Sequence, residues 1–131
     1  RKWEGNEEDW IPVTNKTSEN FPLDLWQKWA SPVWFDIKWT DVLNNREGTD
    51  QGDEKHIAPL QLTVIDRAIK MWTNPGENVF TPFLGIGSEV YMAVKNNRFG
   101  TGIELKDSYF NVAVKNCNNA IAKQLQMELF D

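Results

Sequence analysis

Two glycines and a glutamate carry the chemistry that this sequence offers. Gly85-Ile86-Gly87-Ser88 sets two glycines one residue apart, and Glu104 follows Gly85 by nineteen residues. Glycine permits a tight turn and lets a ligand approach the backbone closely. A carboxylate at that distance, at the end of the next strand, can accept hydrogen bonds from both hydroxyls of a ribose. The loop alone would also suit an ordinary strand-to-helix turn. With a strand before it, a helix after it and the acid in place, it points to a ligand that carries a ribose.

The residues after the loop bear on which ligand. A dinucleotide fingerprint wants Gly or Ala three residues beyond the second glycine, for close packing of helix on sheet. Val90 stands there. Glu89 would also put negative charge near the helix N-terminus, where a pyrophosphate would sit. S-adenosylmethionine has no phosphate and a positive sulfonium, so Glu89 and Glu104 are less hostile to it. A nicotinamide-dependent dehydrogenase is the rival enzyme reading.

These residues need an α/β frame. Leu60, Val64, Ala68 and Met71 or Trp72 recur at helical spacing, with Ile65 and Ile69 widening the stripe. Asn74-Pro75-Gly76 stops that helix and turns the chain. Asn78 to Phe83 reads as a buried parallel strand and Glu89 to Asn96 as a helix. Phe99 to Leu105 reads as a second strand. Asp107 is placed to cap a last helix whose apolar face is Phe110, Val114, Cys117, Ile121 and Leu125. The order predicts half of a doubly wound, three-layer α/β sheet with mainly parallel strands.

Residues 1–55 differ from residues 56–131. The first stretch is rich in Trp, Asn, Asp and Glu and is interrupted by Pro12, Pro22 and Pro32. It reads as an irregular lead-in, with a helical turn or two over Leu23 to Ala30, a weak strand over Val33 to Trp39 and a polar loop over Asn44 to Glu54.

The 131 residues are 40% hydrophobic with seven Trp, enough for one real core. No apolar run is long enough to span a membrane, and the N-terminus lacks the apolar stretch of a signal peptide. The missing initiator Met suggests a piece of a longer protein. Single Cys117 excludes an internal disulfide, no Cys/His cluster suggests a metal, and a reducing cytoplasm fits. The acceptor-like Asn15-Lys16-Thr17 carries no meaning there. The formal net charge of −5 is unlike that of a free-standing DNA binder, which needs a basic face for phosphates. Any DNA contact is expected to lie mostly elsewhere.

Several segments together resemble a family. His56-Ile57-Ala58-Pro59-Leu60-Gln61-Leu62, Asn74-Pro75-Gly76, Thr81-Pro82-Phe83-Leu84-Gly85-Ile86-Gly87-Ser88 and Gly102-Ile103-Glu104-Leu105-Lys106-Asp107-Ser108-Tyr109 are similar to the C-terminal part of amino-group DNA methyltransferases, the N6-adenine and N4-cytosine enzymes. Ala30-Ser31-Pro32-Val33-Trp34-Phe35-Asp36-Ile37 and Thr40-Asp41-Val42-Leu43 resemble a phage and prophage branch. The resemblance implies a Rossmann-like fold with S-adenosylmethionine as cofactor. Phe83, Gly85, Gly87 and Ser88 would line its methionine end and the backbone approach, and Glu104 would hold the ribose. The segment from His56 through Pro59 to Gln61 would cover the methionine moiety from the other side. Many members carry Asp where Thr81 stands, so Thr81 offers the cofactor's ammonium only a neutral hydroxyl.

The family's catalytic segment, (Asp/Asn/Ser)-Pro-Pro-aromatic, holds the target amine and stacks on the flipped base. This chain has no Pro-Pro, and Ser31-Pro32-Val33-Trp34 reads as the lead-in to the cofactor region, with a degenerate catalytic segment as the lesser alternative. No catalytic residue is therefore expected here. DNA would be held through a missing N-terminal portion, with a partner chain or homo-oligomer as further options. The reading from a different class is a non-catalytic lobe of a split or decayed methyltransferase. The lone His56 is either pocket lining or a structural group at a helix entry. Trp26, Trp29, Trp34 and Trp39 read as packing rather than a base-stacking surface. Lys106 and Arg98 read as solvated surface.

Overall fold

The computed structural model describes residues 23–44 and 58–128. The chain divides into two compact units, Arg1–Asp36 and Ile37–Asp131. The division expected at residue 55, the loop after Asn44 and His56 lie outside the described residues.

In the first unit, α1 (Leu23–Trp29) forms where the sequence suggested it. The Trp34 indole N–H donates to the Trp29 carbonyl at 2.9 Å, which folds the Pro32 turn back onto the helix end. The strand expected over Val33 to Trp39 is absent, because no described segment pairs with it and a lone extended segment has no ladder to hold it.

The second unit holds α2 (Leu62–Trp72), β1 (Asn78–Thr81), α3 (Ser88–Lys95), β2 (Phe99–Gly102) and α4 (Asp107–Glu128). Gln61 gives α2 no side-chain cap. Asp41 does so from 22 residues upstream: its carboxylate accepts the Thr63 amide at 2.9 Å and the Thr63 hydroxyl, and its carbonyl accepts the Leu62 amide at 2.7 Å. The Thr63 hydroxyl bond holds the Asp41 carboxyl below its ordinary pKa.

Helix α2 buries Ile65 and Ile69 against Met92 and Ala93 of α3, with Leu62, Val79 and Tyr91 around them. Burying each isoleucine contributes about 1.5–3 kcal/mol. The expected stripe is rotated: Leu60 precedes the helix, while Ala68 and Trp72 face outward. The sequence offered one broad stripe, and α3 takes the side of it that holds the two isoleucines, with Met71 also buried.

Strands β1 and β2 are parallel, in register from Asn78 with Phe99 to Thr81 with Gly102. Both are shorter than expected. Successive side chains alternate across a sheet, so Val79, Thr81, Gly100 and Gly102 share the face covered by α3. Phe80 and Phe99 lie on the other face, 61% and 65% exposed. The described residues thus make two layers rather than three, and β1 is not buried on both faces.

Close packing of α3 on the sheet is achieved in an unexpected way. A Cβ on Gly100 would meet Val90 Cγ1 at 2.8 Å and Cα at 3.0 Å. The small residue that the fingerprint puts on the helix sits on the strand instead. The size of Val90 is accommodated and gives no ground against a dinucleotide.

Helix α4 also differs from expectation. Val112, Ala113 and Ala120 are buried, whereas Phe110, Val114, Ile121 and Leu125 are 42–56% exposed. Helix α4 approaches α3 too closely for large side chains: a Cβ on Gly87 would lie 3.1 Å from Ala113. Small residues make the contact and the large apolar stripe is left outside. Asp107 is the first helical residue rather than the cap, since the Phe110 amide donates to the Lys106 carbonyl.

Candidate functional site

Strand β1 ends at Thr81, and the next six residues turn the chain into α3. The Leu84 amide donates to the Ile103 carbonyl at 2.9 Å, and the Gly87 amide to the Leu84 carbonyl at 2.8 Å. Leu84 and Ile86 are buried beneath the turn. Asn116 on α4 donates its side-chain amide to the Ile86 carbonyl at 2.9 Å. The turn is fixed from three sides before any ligand arrives.

The two glycines have different jobs. Both have positive φ, 52° at Gly85 and 93° at Gly87, a region that costs other residues about 1–2 kcal/mol. A Cβ on Gly85 would meet nothing within 4 Å, so that backbone faces open space. A Cβ on Gly87 would press on Ala113, so Gly87 serves the approach of α4 rather than a ligand's path.

Glu104 lies just past β2. One carboxylate oxygen accepts the Gly85 amide at 2.8 Å and the other accepts the Lys106 amide at 2.9 Å. A carboxylate oxygen has two lone-pair directions, so each retains acceptor capacity. Lys106 is half-buried, with its ammonium 4.4 Å from the Tyr109 ring centre, and not the solvated side chain expected. Phe83 and Leu105 are 84% and 95% exposed, large apolar surfaces next in sequence to the loop and to the acid.

Thr81 is buried, and its hydroxyl accepts the Phe83 amide at 3.3 Å. Ser88 is buried at the first residue of α3. The structure thus gathers Thr81, Phe83, Gly85, Gly87, Ser88 and Glu104 at one end of the parallel pair. Pro59 and Gln61 are half-buried at the entry to α2, where the Gln61 carbonyl accepts the Val64 and Ile65 amides, and neither makes a described hydrogen bond to the loop.

Three contributors escaped the sequence reading. Asp41 and Asn116 act across 22 and 30 residues, and no local pattern marks them. Arg98, expected on the surface, is 4% exposed. Its guanidinium donates to the Thr73 hydroxyl at 3.0 Å, the Thr73 carbonyl at 2.7 Å and the Asn96 carbonyl at 2.6 Å, tying the end of α2 to the start of β2. Burial pushes the Cys117 thiol up from its ordinary pKa. No helix among the described residues is long and apolar enough to cross a membrane.

Residues 2–115 match the family model for N6/N4 DNA methylases, described as DNA methylase. The chain is 38% identical over 74 residues to the orphan methyltransferase M.BamHII of Bacillus amyloliquefaciens, covering 56% of this chain and 28% of that protein. It is 28% identical over 93 residues to the Type II methyltransferase M.ScaI of Streptomyces caespitosus, covering 71% of this chain and 27% of that protein. It therefore spans less than a third of the length of these curated relatives. No solved structure is a significant match. With most of its length inside the family model, and with glycine turn and acid joined at the end of a parallel pair, this chain belongs to the N6/N4 DNA methylase family.

Proposed function

We propose that this chain is the S-adenosylmethionine-binding, C-terminal portion of a Rossmann-like DNA methyltransferase of the phage and prophage type. The whole enzyme would act on the exocyclic amine of adenine or cytosine, in the cytoplasm. The observation that carries this reading is Glu104, which holds the Gly85 amide while keeping acceptor capacity beside an open stretch of backbone.

The residues present suit the cofactor. Glu104 would take the ribose hydroxyls through its remaining lone pairs. Gly85 presents bare backbone where a Cβ would otherwise project, so the methionine end can lie against it. Phe83 and Leu105 offer apolar surface to flank the ligand. His56, Pro59 and Gln61 would cover the methionine moiety, while buried Thr81, Gly87 and Ser88 shape the turn from below. When bound, the cofactor supplies an electrophilic methyl group on a positive sulfonium.

The acceptors that would orient the target amine are not in this chain, which has no Pro-Pro-aromatic segment. The amine's lone pair is drawn into the base ring, so transfer needs an in-line arrangement that these residues do not build. We read the chain as binding cofactor and transferring nothing alone, with DNA held by polypeptide outside it. Isothermal titration with S-adenosylhomocysteine and with NAD tests the cofactor assignment. Binding of the first alone is expected, and binding of NAD alone would overturn it.

A further inference from the structure

Leu84 to Gly87 form a four-residue turn, closed where the Gly87 amide donates to the Leu84 carbonyl at 2.8 Å. Gly85 has a φ of 52° and Ile86 a negative one, the pattern of a type II′ turn. The peptides on either side of the middle one are fully engaged. The Gly85 amide donates to Glu104 at 2.8 Å, and the Ile86 carbonyl accepts from the Asn116 side chain at 2.9 Å. The middle peptide differs, because neither the Gly85 carbonyl nor the Ile86 amide makes a described hydrogen bond. Ile86 is only 2% exposed, and an amide left without a partner in such a place points to one that arrives with a ligand.

We propose that Asn116 is a positioning residue for the amino-acid end of the cofactor: by holding the Ile86 carbonyl, it keeps the Gly85–Ile86 peptide turned to that end of the ligand. The inference rests on the cofactor reading and assigns a task within the same site. The packing of α4 puts Asn116 in place. Ala113, three residues earlier and on the same helix face, sits against Gly87, where an added Cβ would lie 3.1 Å from it. That close approach brings a side chain as short as Asn within reach of the turn. Rotating the middle peptide would require positive φ at both central residues, which the β-branched Ile86 resists. Asn116 fixes the next peptide along, so the middle one is held from its far side as well. It offers one acceptor and one donor beside the open backbone of Gly85, the two kinds of group that an ammonium and a carboxylate can use.

Calorimetric titration of the full chain with S-adenosylhomocysteine and with adenosine, which lacks the amino-acid end, tests this. Asn116→Leu keeps the shape without a donor, and Asn116→Asp keeps an oxygen but has no donor when ionised at neutral pH. Each variant is titrated where circular dichroism shows it folded, and the second serves if the first does not fold. Both should weaken S-adenosylhomocysteine binding by at least about tenfold, the worth of one hydrogen bond to a charged group. Adenosine affinity should stay within about twofold of wild type, since it does not use the middle peptide. Arg98→Met, which loosens the fold away from the turn, should not separate the two ligands. Equal losses for both ligands in the Asn116 variants would overturn the proposal, because Asn116 would then only support the fold. Unchanged S-adenosylhomocysteine affinity would overturn it too, with the cofactor reading left standing. A wild-type chain that binds neither ligand would overturn both.

Discussion

Glu104 binds the amide of Gly85 across the gap between the two strand ends, at 2.8 Å. The carboxylate that would hold a ribose is thus also a strut for the turn. A substitution at Glu104 would remove the proposed ligand contacts and loosen the turn together, and the two effects need separate readouts.

Glu104→Ala is expected to weaken S-adenosylhomocysteine binding by at least about tenfold, since hydrogen bonds to a charged acceptor are worth about 1.5–3 kcal/mol each. Glu104→Gln keeps a carbonyl for one amide and should fall between wild type and Ala. Calorimetry checks the ranking, and exchange of the Gly85 amide reports the turn. Wild-type affinity in Glu104→Ala would end the ribose assignment.

The glycines should separate by phenotype. Gly87→Ala is expected to lower stability by about 1–3 kcal/mol, from its left-handed backbone and the overlap with Ala113. Ala113→Gly in the same chain should recover the overlap part. Gly85→Ala carries the backbone cost alone but should impair ligand binding more. Denaturant unfolding and titration on the same variants decide.

Arg98→Met should destabilise the chain by about 3 kcal/mol, because the Thr73 and Asn96 carbonyls lose their donors in a buried place. Urea unfolding midpoints measure it. A loss under about 0.5 kcal/mol, the range of an ordinary surface change, would contradict the tie between α2 and β2.

Asp41 makes stability depend on acid. Its folded pKa is lowered, chiefly by the Thr63 hydroxyl, so its contribution is complete above the ordinary unfolded value of about 3.9. It fades as pH falls through the folded value. Asp41→Asn should therefore lower the thermal midpoint at pH 7 and converge with wild type in strong acid. Curves that stay parallel down to acid pH would contradict this.

Labelled methyl transfer from S-adenosylmethionine to DNA by the purified chain is expected to be undetectable. Measurable transfer would overturn the reading that the amine-orienting acceptors lie outside it.

What could be read from the sequence was what is local. The turn at Asn74-Pro75-Gly76, the helix order and the spacing of Gly85 to Glu104 follow from residue types a few positions apart, and the parallel pairing of the two strands follows from that order. What escaped depends on distant partners. Choosing which side of the broad stripe on α2 is buried requires knowing where α3 lies. The apolar row of α4 looked like a core face because periodicity reports amphipathicity, not which side has a neighbour. Gly87 looked like ligand space because its contact, Ala113, lies on another helix. The ligand-facing roles proposed for Phe83, Gly85 and Glu104 rest on local pattern, while those proposed for Pro59 and Gln61 depend on a tertiary approach that the described contacts do not include.

Val90 and Gly100 share a single space between helix and strand. What the contact constrains is the combined volume of the pair, not the identity at either position. Val90→Gly alone would open a hole and Gly100→Val alone would force the layers apart, yet the exchange of both could restore the fit. The two sites are therefore epistatic: the effect of a change at one takes its sign from the residue at the other. A fingerprint that scores the helix position by itself will pass over chains like this one, in which the glycine has changed sides.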